Sequence, residues 1–133
     1  MKVLFDTNIL LDILLEREPH IDVASKLFSL VDNGRVQGSI CATAVTTTYY
    51  MTAKGFGSKR AHDQVRTLLS MFEVAPVDGG VLQRALDGGF KDFEDAVAHE
   101  AAHAAGASAI VTRDRGDFTK AVQVAGLVVP RGF

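Results

Sequence analysis

The residues best equipped for chemistry in this chain are acids that follow short apolar runs. Val3-Leu4-Phe5 reads as a buried strand, and Asp6-Thr7-Asn8 then supplies a carboxylate, a hydroxyl and an amide. A later apolar run, Ser108 to Val111, stops at Thr112-Arg113-Asp114, with Asp117 close behind. Between them, Asp92-Phe93-Glu94-Asp95 opens an alanine-rich segment. In open α/β sheets, ligands collect beyond the carboxyl ends of the strands. Three carboxylate clusters reaching one sheet edge would suit a hard divalent cation. Mg²⁺ and Mn²⁺ prefer oxygen donors and keep several waters, so a few carboxylates suffice. Such a cation activates water and neutralises charge developing on a phosphodiester during in-line displacement.

Each acid also has a plainer reading. Asp92 and Asp95 lie three apart at a helix start, where Asp92 would cap the helix and Asp95 would favour its dipole. Asp114 and Asp117 sit where aspartate is common, in a turn after a strand. Asp6 is the hardest to explain away, because a carboxylate directly after three apolar strand residues is poorly solvated unless it faces a site.

The elements that must position these acids alternate between strand and helix. Lys2 to Phe5 is a strand, and Ile9 to Leu15 a short helix with Ile9, Leu10, Ile13 and Leu14 at helical spacing. Glu16-Arg17-Glu18-Pro19 breaks it, since proline disfavours helix in the residue before it. His20 to Val31 resumes helix, and Val36 to Ile40 is a second strand. Thr43 to Lys54 reads as helix although Thr46-Thr47-Thr48-Tyr49-Tyr50 favours strand by propensity. Ser58 is expected to cap a further helix that carries Ala61, Val65, Leu68 and Leu69 toward the core. Phe72 to Val77 is a third strand, and a helix from Asp78 or Gly79 closes near Gly88-Gly89. Asp92 to Ala105 is a helix ended by Gly106, Ser108 to Val111 a fourth strand, and Leu127 to Val129 a fifth. The pattern predicts a three-layer α/β/α sandwich, Rossmann-like, around a mostly parallel sheet of four to five strands.

With 133 residues, the chain is expected to form a single domain over residues 1–133 and to bury a core without staples. Its 47% hydrophobic and 23% charged residues are ordinary for a globular protein. A net charge of −2 gives no global sign of a nucleic-acid partner. The lone Cys41 excludes an internal disulfide framework and fits a reducing cytoplasm. No apolar run approaches a membrane span, and Asp6, Asn8 and Asp12 interrupt any signal-peptide shape at the start.

The N-terminal DTNILLD, the FKDFEDAVAHEAA segment and the VTRDRGDF segment, in that order and spacing, resemble a PIN domain. The resemblance covers nearly the whole chain. It is closest to bacterial PIN proteins of the VapC toxin type, in a branch with an EREP-like turn after the first helix and a Tyr-Tyr pair in the third. It implies a metal-dependent endoribonuclease, the toxin of a toxin–antitoxin pair, using Mg²⁺ or Mn²⁺. The family's first acid falls on Asp6, the acid opening its long helix on Asp95 with Asp92 one turn earlier, and its last acids on Asp114 and Asp117. Asp6, Asp95 and Asp114 are the expected catalytic core, with Thr7, Asn8 and Thr112 in support. One position departs from the pattern: many PIN nucleases carry Glu in a stretch like S-A-x-x-x-x-E, where this chain has Thr47. A neutral side chain there lowers local negative charge, which Asp12 or Glu94 would have to offset. Thr47 also motivates a second reading, a non-catalytic PIN-fold module that binds RNA or a protein.

His99-Glu100-Ala101-Ala102-His103 matches H-E-x-x-H, the zinc-metallopeptidase pattern. The remaining histidines, His20 and His62, lie upstream, and no Glu follows Glu100, so a third ligand is missing. Asp92, Asp95, His99 and His103 fall within a narrow arc at 100° per residue, which would bring His99 near the acids. Arg113 and Arg115 adjoin a candidate metal ligand and suit RNA phosphate, whereas Lys59 and Arg60 read as solvated surface. Tyr49 and Tyr50 are expected in the core or in a dimer contact rather than in base stacking. Helices apolar on several faces point to a homodimer. The resemblance adds an inhibitory antitoxin.

Overall fold

The computed structural model describes residues 2–112 and 127–128. Its strands are β1 (Lys2–Phe5), β2 (Gln37–Cys41), β3 (Glu73–Ala75), β4 (Ala109–Val111) and β5 (Leu127–Val128). Its helices are α1 (Thr7–Leu14), α2 (Ile21–Asp32), α3 (Ala42–Phe56), α4 (Ser58–Met71), α5 (Gly79–Leu86) and α6 (Phe93–Ala104). The sheet order is β3-β2-β1-β4-β5, and every neighbouring pair is parallel. β1 therefore lies at the centre, which explains its unbroken apolar run: Val3, Leu4 and Phe5 are all buried.

Helices flank this sheet. α1 packs against α2 and α3, α3 against α4, and α5 against α6. Phe5, Phe28 and Phe72 meet edge to face, with centroids 5.1 to 6.0 Å apart, and join α2 to the strands. Gly38 in β2 permits this closeness, because a Cβ there would meet the Phe72 ring at 2.6 Å. Buried alanines on α6 (Ala96, Ala98, Ala101 and Ala102) give that helix a low profile toward its neighbours.

The threonine-rich α3 is helical, as expected against its propensity. Thr46 and Thr48 donate their hydroxyls to the carbonyls of Thr43 and Val45, at 2.8 and 2.9 Å. The side chains thereby satisfy themselves within the helix. Two expectations about α4 need correction. Ser58 is the first helical residue and makes no capping bond; Gly57, at φ 93°, occupies the cap position. Leu69 is 49% exposed, so only Ala61 and Leu68 are buried on that helix. Phe72 is likewise not in β3: it follows α4 and fills the core. Among the described residues, no helix is long and apolar enough to cross a membrane.

Candidate active site

Asp6 follows β1 directly, and its backbone N–H still pairs with Val111 of β4, at 2.9 Å. The chain then turns into α1 with Asp6 as the N-cap residue, so the side chain is fixed from both sides. Its Oδ1 accepts from the Thr7 N–H at 2.8 Å, and its Oδ2 accepts from the Thr112 hydroxyl at 2.8 Å. Asp6 is 4% exposed and Thr112 fully buried. An ionised carboxylate is acceptor-only, and here a donor meets each oxygen. Thr112 takes up its place because β4 lies beside β1 and ends level with it.

The strand order explains why a cleft opens at this point. From β1 the chain moves to β2 and β3 on one side, whereas β4 and β5 lie on the other. Such a switch in direction leaves a crevice beyond the strand ends. The cleft holds about 220 Å³. Asp6, Thr7 and Asn8 line it from the end of β1 and the start of α1, and Asp92, Glu94 and Asp95 from the start of α6. Thr47 and Met51 come from α3, and Leu11 and Arg17 from α1 and the turn beyond it.

Asp92 performs the capping role expected of it: its Oδ1 accepts from the Asp95 N–H at 3.1 Å. That bond does not remove it from the cleft, so the plain reading and the functional one hold together for this residue. Glu94, weighed from sequence only as a compensating acid, lines the cleft and accepts from the Thr7 hydroxyl at 3.1 Å. Thr7 thereby ties α1 to α6. Asp12 is buried beside Arg17, 3.9 Å from its Nη1, and is not on the cleft wall. The neutral Thr47 does face the acids. Arg113, Asp114, Arg115 and Asp117 lie outside the described residues.

Apart from the Met51 thioether, the donors lining the cleft are oxygens, from carboxylates, hydroxyls and an amide, which suits Mg²⁺ or Mn²⁺. Among the described residues, no three acid, histidine or cysteine side chains converge closely enough to enclose an ion. Further oxygen donors would therefore have to complete the set.

The helical-arc argument for His99 fails. His99 is 8% exposed, outside the cleft, with its ring tilted on Phe90 at 5.4 Å and its Nδ1 3.6 Å from Glu100. Burial pushes its pKa below 6.5, Glu100 opposes the shift, and His103 adds to it. Glu100 itself pairs with Arg84 of α5 at 3.4 Å. His103 is exposed, so the two histidines of H-E-x-x-H do not share an environment. Tyr50 is 73% exposed rather than buried. Tyr49 lines a separate groove with His62, Val65, Arg66 and Leu69, which contains no acid. Arg60 stacks over Phe56 at 3.9 Å and pairs with Glu16, so it is more engaged than a solvated surface residue.

Sequence reading missed Arg17, Leu11 and Met51 on the wall. Arg17 belongs to the EREP turn, where only the proline was informative about conformation.

Ribonuclease VapC1 from Aquifex aeolicus (strain VF5) is 23% identical over 128 residues, covering 92% of this chain and 88% of that protein. A toxin–antitoxin complex from Klebsiella pneumoniae contains a chain similar to this one at a TM-score of 0.71 and 23% identity, over 98% of this chain and 99% of that one. VapC20 of Mycobacterium tuberculosis, a sarcin–ricin-loop-cleaving toxin, matches at a TM-score of 0.71 and 15% identity, over 90% and 94% of the two chains. These structural likenesses establish the fold. The PIN domain model matches residues 2–116, and with most of its length so matched, this chain belongs to the PIN domain family.

Proposed function

We propose that this chain is a divalent-metal-dependent endoribonuclease that hydrolyses RNA phosphodiesters and is the toxin of a toxin–antitoxin pair. The observation that carries the proposal is Asp6: a buried carboxylate, held at both oxygens, lining an acid-rich cleft at the switch point of a parallel sheet. The ribonuclease relative and the toxin–antitoxin complexes support the substrate and the partner. Exposed Tyr50, Met51, Phe56 and Leu69 support a homodimer, and the lone buried Cys41 is in keeping with a cytoplasmic setting.

In this reading Asp6, Asp95 and Asp114 hold Mg²⁺ or Mn²⁺, with Asp92 and Asp117 in support. When bound, the cation supplies an activated water and positive charge against the phosphodiester. The chain's own residues supply position. Thr112 and the Thr7 N–H fix the plane of the Asp6 carboxylate. The Thr7 hydroxyl, through Glu94, fixes the opening turn of α6 against α1. The carboxylates act as ligands and not as nucleophiles.

A second reading rests on Thr47: with a neutral group facing the acids, the fold would bind RNA or a protein without cutting it. One experiment decides between them. Mixed-sequence RNA oligonucleotides are incubated with Mg²⁺ or Mn²⁺ and either wild type or Asp6→Asn. Cleavage by wild type, reduced about 100-fold or more in the variant, supports the nuclease. Cleavage that persists in Asp6→Asn sinks the role of Asp6. RNA bound but uncut by wild type with either cation favours the binding module.

A further inference from the structure

We propose that Arg17 binds an RNA phosphate adjoining the one that is cut, an inference that rests on the ribonuclease reading. α1 ends in a turn that closes with two backbone bonds, Glu16 N–H to the Ile13 carbonyl at 3.3 Å and Arg17 N–H to the Asp12 carbonyl at 2.9 Å. This is the pairing of a Schellman motif, whose left-handed position usually falls to glycine. Here Glu16 occupies it, at φ 54°. The backbone cost is accepted at a position where the side chain reaches Arg60, at 3.4 Å. The turn sends Arg17 back along α1, so that its guanidinium reaches Asn8, nine residues earlier, at 3.5 Å.

That path places the guanidinium on the cleft wall, where it is the only basic group among the described residues. The other charged groups there are Asp6, Asp92, Glu94 and Asp95, a field that repels a polyanion. RNA approaching this edge needs a cation to hold it. Both polar contacts of Arg17, to Asn8 at 3.5 Å and to Asp12 at 3.9 Å, are long and use Nη1. Among the described residues, the opposite edge of the guanidinium has no partner. Two parallel N–H groups on that edge match two phosphate oxygens. The side chain is 31% exposed, enough to meet a ligand without leaving its anchor.

The competing explanation is that Arg17 only compensates the buried Asp12 carboxylate. The experiment therefore uses four chains: wild type, Arg17→Ala, Asp12→Asn, and the double variant. Each is checked for folding by circular dichroism. Binding of a fluorescent single-stranded RNA is measured by anisotropy in chelator-treated buffer across a salt series, and cleavage is measured with Mg²⁺ or Mn²⁺. Arg17→Ala should raise Kd about tenfold, and its plot of log affinity against log salt should be shallower by about 0.7, one phosphate contact. KM should rise with Kd while kcat changes little. The double variant should remain as weak as Arg17→Ala.

Unchanged Kd and salt slope in a folded Arg17→Ala, or recovery of wild-type binding in the double variant, overturns the proposal while leaving the nuclease reading intact. RNA bound in an Arg17-dependent way but never cut overturns the nuclease reading and retains the contact as a binding one. Wild type that neither binds nor cuts RNA overturns both.

Discussion

Two buried titratable side chains stand on opposite sides of a sharp contrast. Asp6, at the strand ends, meets a donor at each oxygen. His99, on α6 with its ring against Phe90, has Glu100 at 3.6 Å on one nitrogen and, among the described residues, no hydrogen-bond partner on Nε2. Both are more than nine-tenths covered. The two donors on Asp6 suit a carboxylate, and burial of His99 favours the neutral ring. Burial alone therefore says little about a group's role; what differs between the two is the set of partners supplied to each.

The contrast can be broken or sharpened by changing each group's surroundings. The largest effect should come from Thr112→Val, which keeps the shape but removes the hydroxyl from Asp6 Oδ2. A hydrogen bond to a charged group is worth about 2 kcal/mol, so denaturant melts should show a loss of that order. RNA cleavage should fall roughly tenfold or more, since Asp6 loses half of its orientation. Full activity at reduced stability would mean that the bond serves only the fold.

Asp92→Ala should cost about 1 kcal/mol, the ordinary value of an N-cap. Because Asp92 also lines the cleft, its cleavage rate should drop further than Asp92→Ser, which can still cap. Equal rates in the two variants would leave Asp92 with the cap alone.

The smallest effect belongs to His99. Its pKa lies below 6.5 in the fold, chiefly through burial, with Glu100 opposing and His103 reinforcing the shift; Arg84 faces the same cluster through Glu100. The unfolded chain then takes up a proton near pH 6.5 that the folded chain resists. This contribution to stability is whole above that pH and is lost as pH falls toward the folded value. Melting temperatures between pH 7.5 and 5.5 should show this decline, and His99→Phe should flatten it. An equal slope in the variant would move the cause to another group.

The legible and illegible parts of this molecule divide along physical lines. The positions of Asp6, Asp92 and Asp95 were readable, because β1 is apolar without interruption up to Asp6 and α6 opens on a cap; Asp114 and Asp117 lie outside the described residues. α6 was readable from its cap and its alanines. Of the two places expected for the tyrosines, the core is excluded for Tyr50, because sequence does not reveal which face of α3 another layer covers. His99 misled for a related reason: its ring packs on Phe90, a residue between α5 and α6 whose place the helical arc does not reveal. Arg17 could not have been found, because its place depends on Glu16 entering a left-handed conformation that sequence rules reserve for glycine. Ser58 lost the cap to Gly57 by one residue, a margin that local patterns do not resolve.

The bond from Thr112 to Asp6 spans 106 residues. Closing so large a loop is entropically demanding, and contacts of this range are slow to form. Until β4 has joined β1, Asp6 lacks both the Thr112 hydroxyl and the Val111 carbonyl that help to fix it. The geometry of this acid is thus set by a late, long-range contact as well as by the local turn.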